Sequence, residues 1–296
     1  MDWQQFVMHL GALSSSDVEA IFMRHGASSV SLMDGGNQPV LEPGPGETPL
    51  WADTCITALF PPEVDMEALR SGLLTELGLE KLPPNHIESL ADRVWEREWL
   101  KDFGPMRFGR RLWICPGDYK LTSNDAVVIR LDPGLAFGTG THPTTAMCLE
   151  WLDSLQVADK TLLDYGCGSG VLAIAALKLG CRSVTAMDID PQAVTATRTN
   201  AEDNGVVERL RVTGSVDDIS TSFDVVVANI LAGPLVELAE PIASYVAKRG
   251  KLGLSGVLSG QAADVMAAYE PWIDFDETAE REQDGQVWAR LTGTRR

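Results

Sequence analysis

The chain has 296 residues, enough for one large domain or two ordinary ones. Its 45% hydrophobic and 22% charged content is that of a folded globular protein, not a disordered one. A net charge of −18 argues against direct grip on a nucleic-acid backbone, because that affinity comes from Lys and Arg displacing counterions. The acidity either attracts a basic partner, a cationic protein or an amine, or serves solubility alone.

No apolar run reaches the roughly 18 residues that span a bilayer, and the opening Met1-Asp2-Trp3-Gln4-Gln5 lacks the features of a signal peptide, so the expected location is cytoplasmic with no membrane contact. The five cysteines (Cys55, Cys115, Cys148, Cys167, Cys181) are odd in number, scattered and free of any CxxC pair. They read as reduced, buried thiols rather than disulfides or a metal site.

Residues 1–92 alternate as strand 3–10, helix 16–25, strand 29–33, a Gly/Pro-rich loop 35–49, strand 51–60, helix 64–77 and strand 86–90. That βαββαβ order predicts a small α+β, ferredoxin-like domain. It carries no chemical motif, which suits recognition. Residues 93–104 predict a short charged linker helix, with Trp95 and Trp99 on one side; they serve packing between domains or the grip of a partner. From 105 to 296, apolar runs at 161–165, 183–188, 210–213, 224–228 and 251–255 alternate with helical segments, as in a parallel sheet covered on both faces. Stretches 272–278 and 286–291 read as a closing antiparallel pair. The fold class is therefore α/β, a Rossmann-like domain following a smaller α+β one.

Four stretches carry chemistry. Leu162-Leu163-Asp164-Tyr165-Gly166-Cys167-Gly168-Ser169-Gly170 ends a buried strand in a glycine turn and feeds a helix from Val171. Gly166, Gly168 and Gly170 let a ligand lie against backbone, and the helix N-terminus offers N–H groups. Gly168-Ser169-Gly170-Val171-Leu172-Ala173 alone also satisfies a dinucleotide fingerprint. Asp164, two residues before the first glycine, could receive the ammonium of a methionine moiety, which a nicotinamide dinucleotide lacks. Asp188 closes the next strand about twenty residues on, where an acid accepts hydrogen bonds from ribose hydroxyls, and Asp190-Pro191 reads as the cap of the following helix. Asn229, in Asn229-Ile230-Leu231-Ala232, is delivered to the carboxyl edge of the sheet. The absence there of prolines and an aromatic residue favours an amine over a planar amide or nucleobase nitrogen. The stretch 132–145, with its three glycines, suggests a loop folding over a ligand, and Thr141 and Pro143 begin a helix expected over 144–152. Thr145 in its first turn could donate a hydroxyl to a cofactor, and His142 is a candidate general base that loop position alone does not establish.

On these motifs, with Trp95-Glu96-Arg97-Glu98-Trp99 and Pro105-Met106-Arg107-Phe108-Gly109, the whole chain resembles the bacterial ribosomal protein L-eleven methyltransferases. The glycine turn marks only a superfamily; Gly138-Thr139-Gly140-Thr141-His142-Pro143 with Asn229-Ile230-Leu231-Ala232 is more selective. The resemblance implies transfer of methyl groups from S-adenosylmethionine, leaving S-adenosylhomocysteine and using no metal. The acceptors it implies are lysine side chains and the N-terminal amine of that ribosomal protein, free of the ribosome, and the enzyme is expected as a monomer. It implies cofactor contacts at Thr145, Gly166, Asp188 and Asn229, with Asn229 orienting the reactants. Thr213-Gly214-Ser215-Val216-Asp217 lacks the Gly-Asp pair many methyltransferases place near adenine, which puts Asp217 in doubt as a contact. The rivals are a small-molecule amine methyltransferase, which would not need the first hundred residues, a nicotinamide oxidoreductase, which leaves Asp164 and Asn229 unexplained, and a noncatalytic module, which the intact motifs oppose.

Overall fold

The computed structural model describes residues 3–36, 50–90, 104–117, 119, 125–131 and 142–296. Nearly all of the expected linker helix, most of the loop 35–49 and the glycine-rich stretch 132–141 lie outside the described residues. The chain divides into two compact units, Met1–Trp95 and Glu96–Arg296.

The first unit runs β1 (Trp3–His9), α1 (Ser15–Arg24), β2 (Ser29–Asp34), β3 (Thr54–Phe60), α2 (Met66–Leu77) and β4 (Asn85–Leu90). Its sheet is antiparallel throughout, in the order β2-β3-β1-β4. Each helix starts where a short polar side chain replaces the missing helical partner. The Ser14 hydroxyl accepts from Asp17 N–H, and the Asp65 carboxylate accepts from Glu67 and Ala68 N–H. Gly78 ends α2 in the left-handed conformation. The core closes around Phe22, which meets Phe6 and Phe60 edge to face at 5.5 and 5.8 Å.

The second unit opens with a three-stranded sheet, β5 (Met106–Phe108), β6 (Leu112–Cys115) and β7 (Val127–Arg130), which the sequence pattern did not announce. The main sheet comprises β8 (Thr161–Tyr165), β9 (Ser183–Met187), β10 (Leu210–Thr213), β11 (Phe223–Asn229), β12 (Val246–Leu258), β13 (Ile273–Phe275), β14 (Ala279–Gln283) and β15 (Gln286–Arg295). The order is β10-β9-β8-β11-β12-β15-β13, with β14 also on β15. The strands from β10 to β12 are parallel; β15 runs against β12 and β13. The expected closing pair is thus present as β13 and β15, and β14 joins it.

The helices are α3 (Pro143–Ser154), α4 (Val171–Lys178), α5 (Pro191–Asp203), α6 (Ala232–Glu237), α7 (Ala239–Tyr245) and α8 (Ala262–Tyr269). Successive strand residues feed opposite faces, as the two-residue strand period requires. Leu162, Val225 and Val227 join a core with Leu149 and Leu152 of α3 and Ile174 of α4. Leu163 and Val226 join another with Leu235, Ile242 and Val265 of α6, α7 and α8. Both faces are covered, which is why these strands read as unbroken apolar runs. The connections leave β8 in opposite directions, to β9 and β10 on one side and β11 and β12 on the other. The carboxyl ends of β8 and β11 therefore flank a topological switch point, where open α/β sheets bind ligands.

Candidate functional site at the switch point

The glycine turn follows β8. Gly166, Gly168 and Gly170 hold φ of 77°, 53° and 78°, a left-handed region that a side chain disfavours. Gly166 also has no room for one: a Cβ there would lie 2.3 Å from Cγ2 of Ile230. The turn after β8 and the Asn229-Ile230 segment after β11 are thus packed against each other. On the other side of Ile230, a Cβ at Gly256 would stand 2.3 Å from the Ile230 carbonyl oxygen.

Asp164 is fully buried. Its Oδ2 accepts from Ala173 N–H in the first turn of α4 at 3.0 Å, while Oδ1 has no hydrogen-bond partner among the described residues. Burial pushes its pKa up to about 7; the Ala173 N–H opposes this and the Asp188 charge adds to it. Asp188, half-buried one strand away, accepts from Gly168 N–H at 2.9 Å and from Asp190 N–H at 3.0 Å. Each of its oxygens keeps a lone pair for a further donor. Asp190 caps α5 through Gln192 N–H at 2.8 Å, as its Asp-Pro pattern predicts.

Asn229 and Thr145 lie 84 residues apart in sequence and meet here: Asn229 Nδ2 donates to Thr145 Oγ1 at 3.2 Å. Thr145 is brought there by α3, whose first residue is Pro143 and whose N-cap is His142. Nδ1 of His142 stands 2.7 Å from the Thr144 hydroxyl and accepts from Thr144 N–H, and the imidazole packs edge to face on Trp288 at 4.6 Å. Burial lowers its pKa. The helix cap engages Nδ1 of this imidazole. Asp217 is exposed in a short turn, its N–H donating to Ser215 Oγ.

The five cysteines are buried and unpaired, and burial raises the thiol pKa of Cys148 to about 12 and of Cys181 to about 11. Two side chains that motif reading passed over also touch the turn. Thr197 and Asn200 of α5 hydrogen-bond the Gly168 and Ser169 carbonyls. They sit inside an ordinary polar helix, and only their spacing to Asn204 sets them apart.

A parallel sheet of this order, closed by one reversed strand, with a glycine turn at the switch point and a carboxylate ending the next strand, places the protein among the Rossmann-like, S-adenosylmethionine-dependent methyltransferases. The chain belongs to the ribosomal protein L11 methyltransferase family, whose model matches residues 2–296. It is 49% identical to the ribosomal protein L11 methyltransferase of Mannheimia succiniciproducens, over 99% of each chain. It is 50% identical to that of Serratia proteamaculans, over 100% of each. A crystal structure of ribosomal protein L11 methylase from Lactobacillus delbrueckii subsp. bulgaricus superposes with a TM-score of 0.59 at 35% identity, covering 65% of this chain and 99% of that one.

Proposed function

We propose that the protein transfers methyl groups from S-adenosylmethionine to lysine side chains and the N-terminal amine of ribosomal protein L11, taken before that protein joins the ribosome. The observation that carries this reading is the Asn229–Thr145 hydrogen bond beside the glycine turn. It unites at one switch point the residues that family resemblance singles out from three separate motifs.

The residues fit the cofactor. The buried, unpartnered Oδ1 of Asp164 lacks the donor that an amino-acid ammonium would bring. The turn through Gly166, Gly168 and Gly170 keeps its backbone open to a ligand only while it stays close-packed on Ile230 and Thr197, where a Cβ at Gly166 or Gly170 would collide. Asp188 keeps acceptor capacity for ribose hydroxyls, and Thr145 offers its hydroxyl. When bound, S-adenosylmethionine supplies a methyl group already activated on a sulfonium.

The chain's task is then to hold a neutral amine in line. A lysine amine, with a reference pKa of about 10.4, is mostly charged at neutral pH. An apolar, water-poor pocket for the acceptor would favour the neutral, nucleophilic form. Asn229 orients the reactants through its amide. No side chain is assigned to proton abstraction, in keeping with the use of His142 as a cap.

Residues 1–92 serve as the recognition domain and 93–104 as its linker to the catalytic domain 105–296. The protein acts as a cytoplasmic monomer and does not bind nucleic acid directly. No helix among the described residues is long and apolar enough to cross a membrane.

Intact-mass analysis of free L11 incubated with enzyme and S-adenosylmethionine tests the reading. L11 should gain mass in whole multiples of one methylene. Asn229→Ala should lower turnover at least tenfold, about 1.4 kcal/mol in barrier, while leaving the melting temperature nearly unchanged. An unmodified L11 alongside methylated small amines would favour the small-molecule alternative, and wild-type turnover in Asn229→Ala would remove the role given to that residue.

A further inference from the structure

Helix α5 and its C-cap carry three polar side chains, Thr197, Asn200 and the C-cap Asn204, at spacing i, i+3 and i+7, which share one face. Each is spent on backbone outside the helix. Thr197, with no exposed surface, donates its hydroxyl to the Gly168 carbonyl at 3.0 Å, and the Cys167 sulfur lies 3.3 Å from the Thr197 Oγ1. Asn200 donates Nδ2 to the Ser169 carbonyl at 2.8 Å. Asn204 accepts from Arg130 N–H at 2.8 Å and donates to the Arg130 carbonyl at 2.7 Å and the Asn200 carbonyl at 2.8 Å. One helix face therefore holds two consecutive carbonyls of the glycine turn and is itself moored to the end of β7.

The turn does not need these bonds to close, since Gly170 N–H already reaches the Cys167 carbonyl at 2.7 Å. They fix something else. That closing bond holds the Ser169–Gly170 peptide by its N–H, and Asn200 holds the same peptide by its C=O; the Gly168–Ser169 peptide, which follows a glycine, is held at its C=O by Thr197. Because C=O and N–H point opposite ways across a trans peptide, a flip would reverse both dipoles that the turn presents.

We infer that Thr197 and Asn200 are positioning residues for the glycine turn: by holding the Gly168 and Ser169 carbonyls on α5 they keep its backbone in the arrangement that binds the cofactor, and so set cofactor affinity without entering the transfer step. The inference rests on the cofactor reading above. Gly170 belongs to the same device, because a Cβ there would stand 2.7 Å from Cγ2 of Thr197 and push the helix off the turn.

The test uses the full-length protein carrying Thr197→Val, Thr197→Ser or Asn200→Ala. Binding of S-adenosylmethionine and S-adenosylhomocysteine is measured by calorimetry, with kcat, cofactor KM and melting temperature beside it. Val keeps the volume of Thr and loses only the hydroxyl, whereas Ser keeps the hydroxyl. Thr197→Val and Asn200→Ala should each weaken cofactor binding and raise cofactor KM about three- to tenfold, the worth of roughly one net hydrogen bond. Their kcat should stay within about twofold of wild type, and Thr197→Ser should bind within about twofold of it.

Wild-type affinity in Thr197→Val would overturn the inference. So would Thr197→Ser as impaired as Thr197→Val, or kcat falling at unchanged KM. Should Thr197→Val not fold, Asn200→Ala, at a half-buried position, decides by the same criteria. A wild-type protein that fails to bind S-adenosylmethionine sinks the cofactor reading instead; one that binds it, with unimpaired variants, sinks only this inference.

Discussion

Asp164 shows how one buried carboxylate can report on what the site is built to hold. An isolated aspartate at this depth is driven toward its neutral form, and here the pKa rises to about 7. The raised value means the folded protein binds a proton the unfolded chain would have released. The carboxyl's contribution to stability is thus fully present below the unfolded value and declines as pH rises from there to about 7. A ligand ammonium reverses that preference, because it pairs with the ionised form. Cofactor affinity should accordingly rise as pH increases from below 7 and level off above it, at up to about tenfold per pH unit on the acid side. Asp164→Asn should flatten that dependence, as calorimetry across the pH range would show. An equally steep profile in the variant would mean that another group receives the ammonium. The glycine turn, Asp164 and Asp188 were picked out in the sequence as candidates because each lies next to a strand end, where the role proposed for it follows from local chemistry. Thr197 and Asn200 were not, because their partners lie about thirty residues away and nothing local distinguishes them from solvated helix residues.

At the scale of elements, the alternation of apolar runs and helical stretches placed β8 to β11 within a residue or two and the middle of β12, because a two-sided core leaves a strong pattern. The three-stranded sheet of β5, β6 and β7 escaped notice, for its strands have only three or four residues and a run of arginines interrupts them. What holds it is tertiary. Asp153, buried near the end of α3, accepts from Arg110 N–H at 2.5 Å and Arg111 N–H at 3.2 Å, and from Nε of Arg111 at 3.1 Å. Gly109 turns at φ 64° directly against it, where a Cβ would lie 2.6 Å from Oδ2. Asp153→Ala leaves two backbone donors without their acceptor and should cost about 2–3 kcal/mol in chemical unfolding. Cofactor affinity should hardly change, since Asp153 lies at the far end of α3 from Thr145. A variant as stable as wild type would show that the hairpin is anchored elsewhere.

For the whole molecule, the excess of 42 acidic over 24 basic side chains becomes meaningful once a methyltransferase site is set beside it. In the sequence this charge argued against a phosphate-gripping surface but left solubility and attraction of a basic partner undecided. A substrate that presents lysine amines, as proposed, favours the second. Complementary charge acts mainly on encounter, and its reach is about 10 Å at 0.1 M salt and about 3 Å at 1 M. Raising ionic strength should therefore raise the KM for the protein substrate several-fold, while the KM for the cofactor, which the proposed site would hold by hydrogen bonds around the glycine turn, moves little. The dependence should be lost when a short lysine peptide replaces the protein, because a few charges sample little of the enzyme's field. A protein-substrate KM that stays level from low to high salt would return the acidity to solubility alone, and would leave recognition to shape and apolar contact in the first unit.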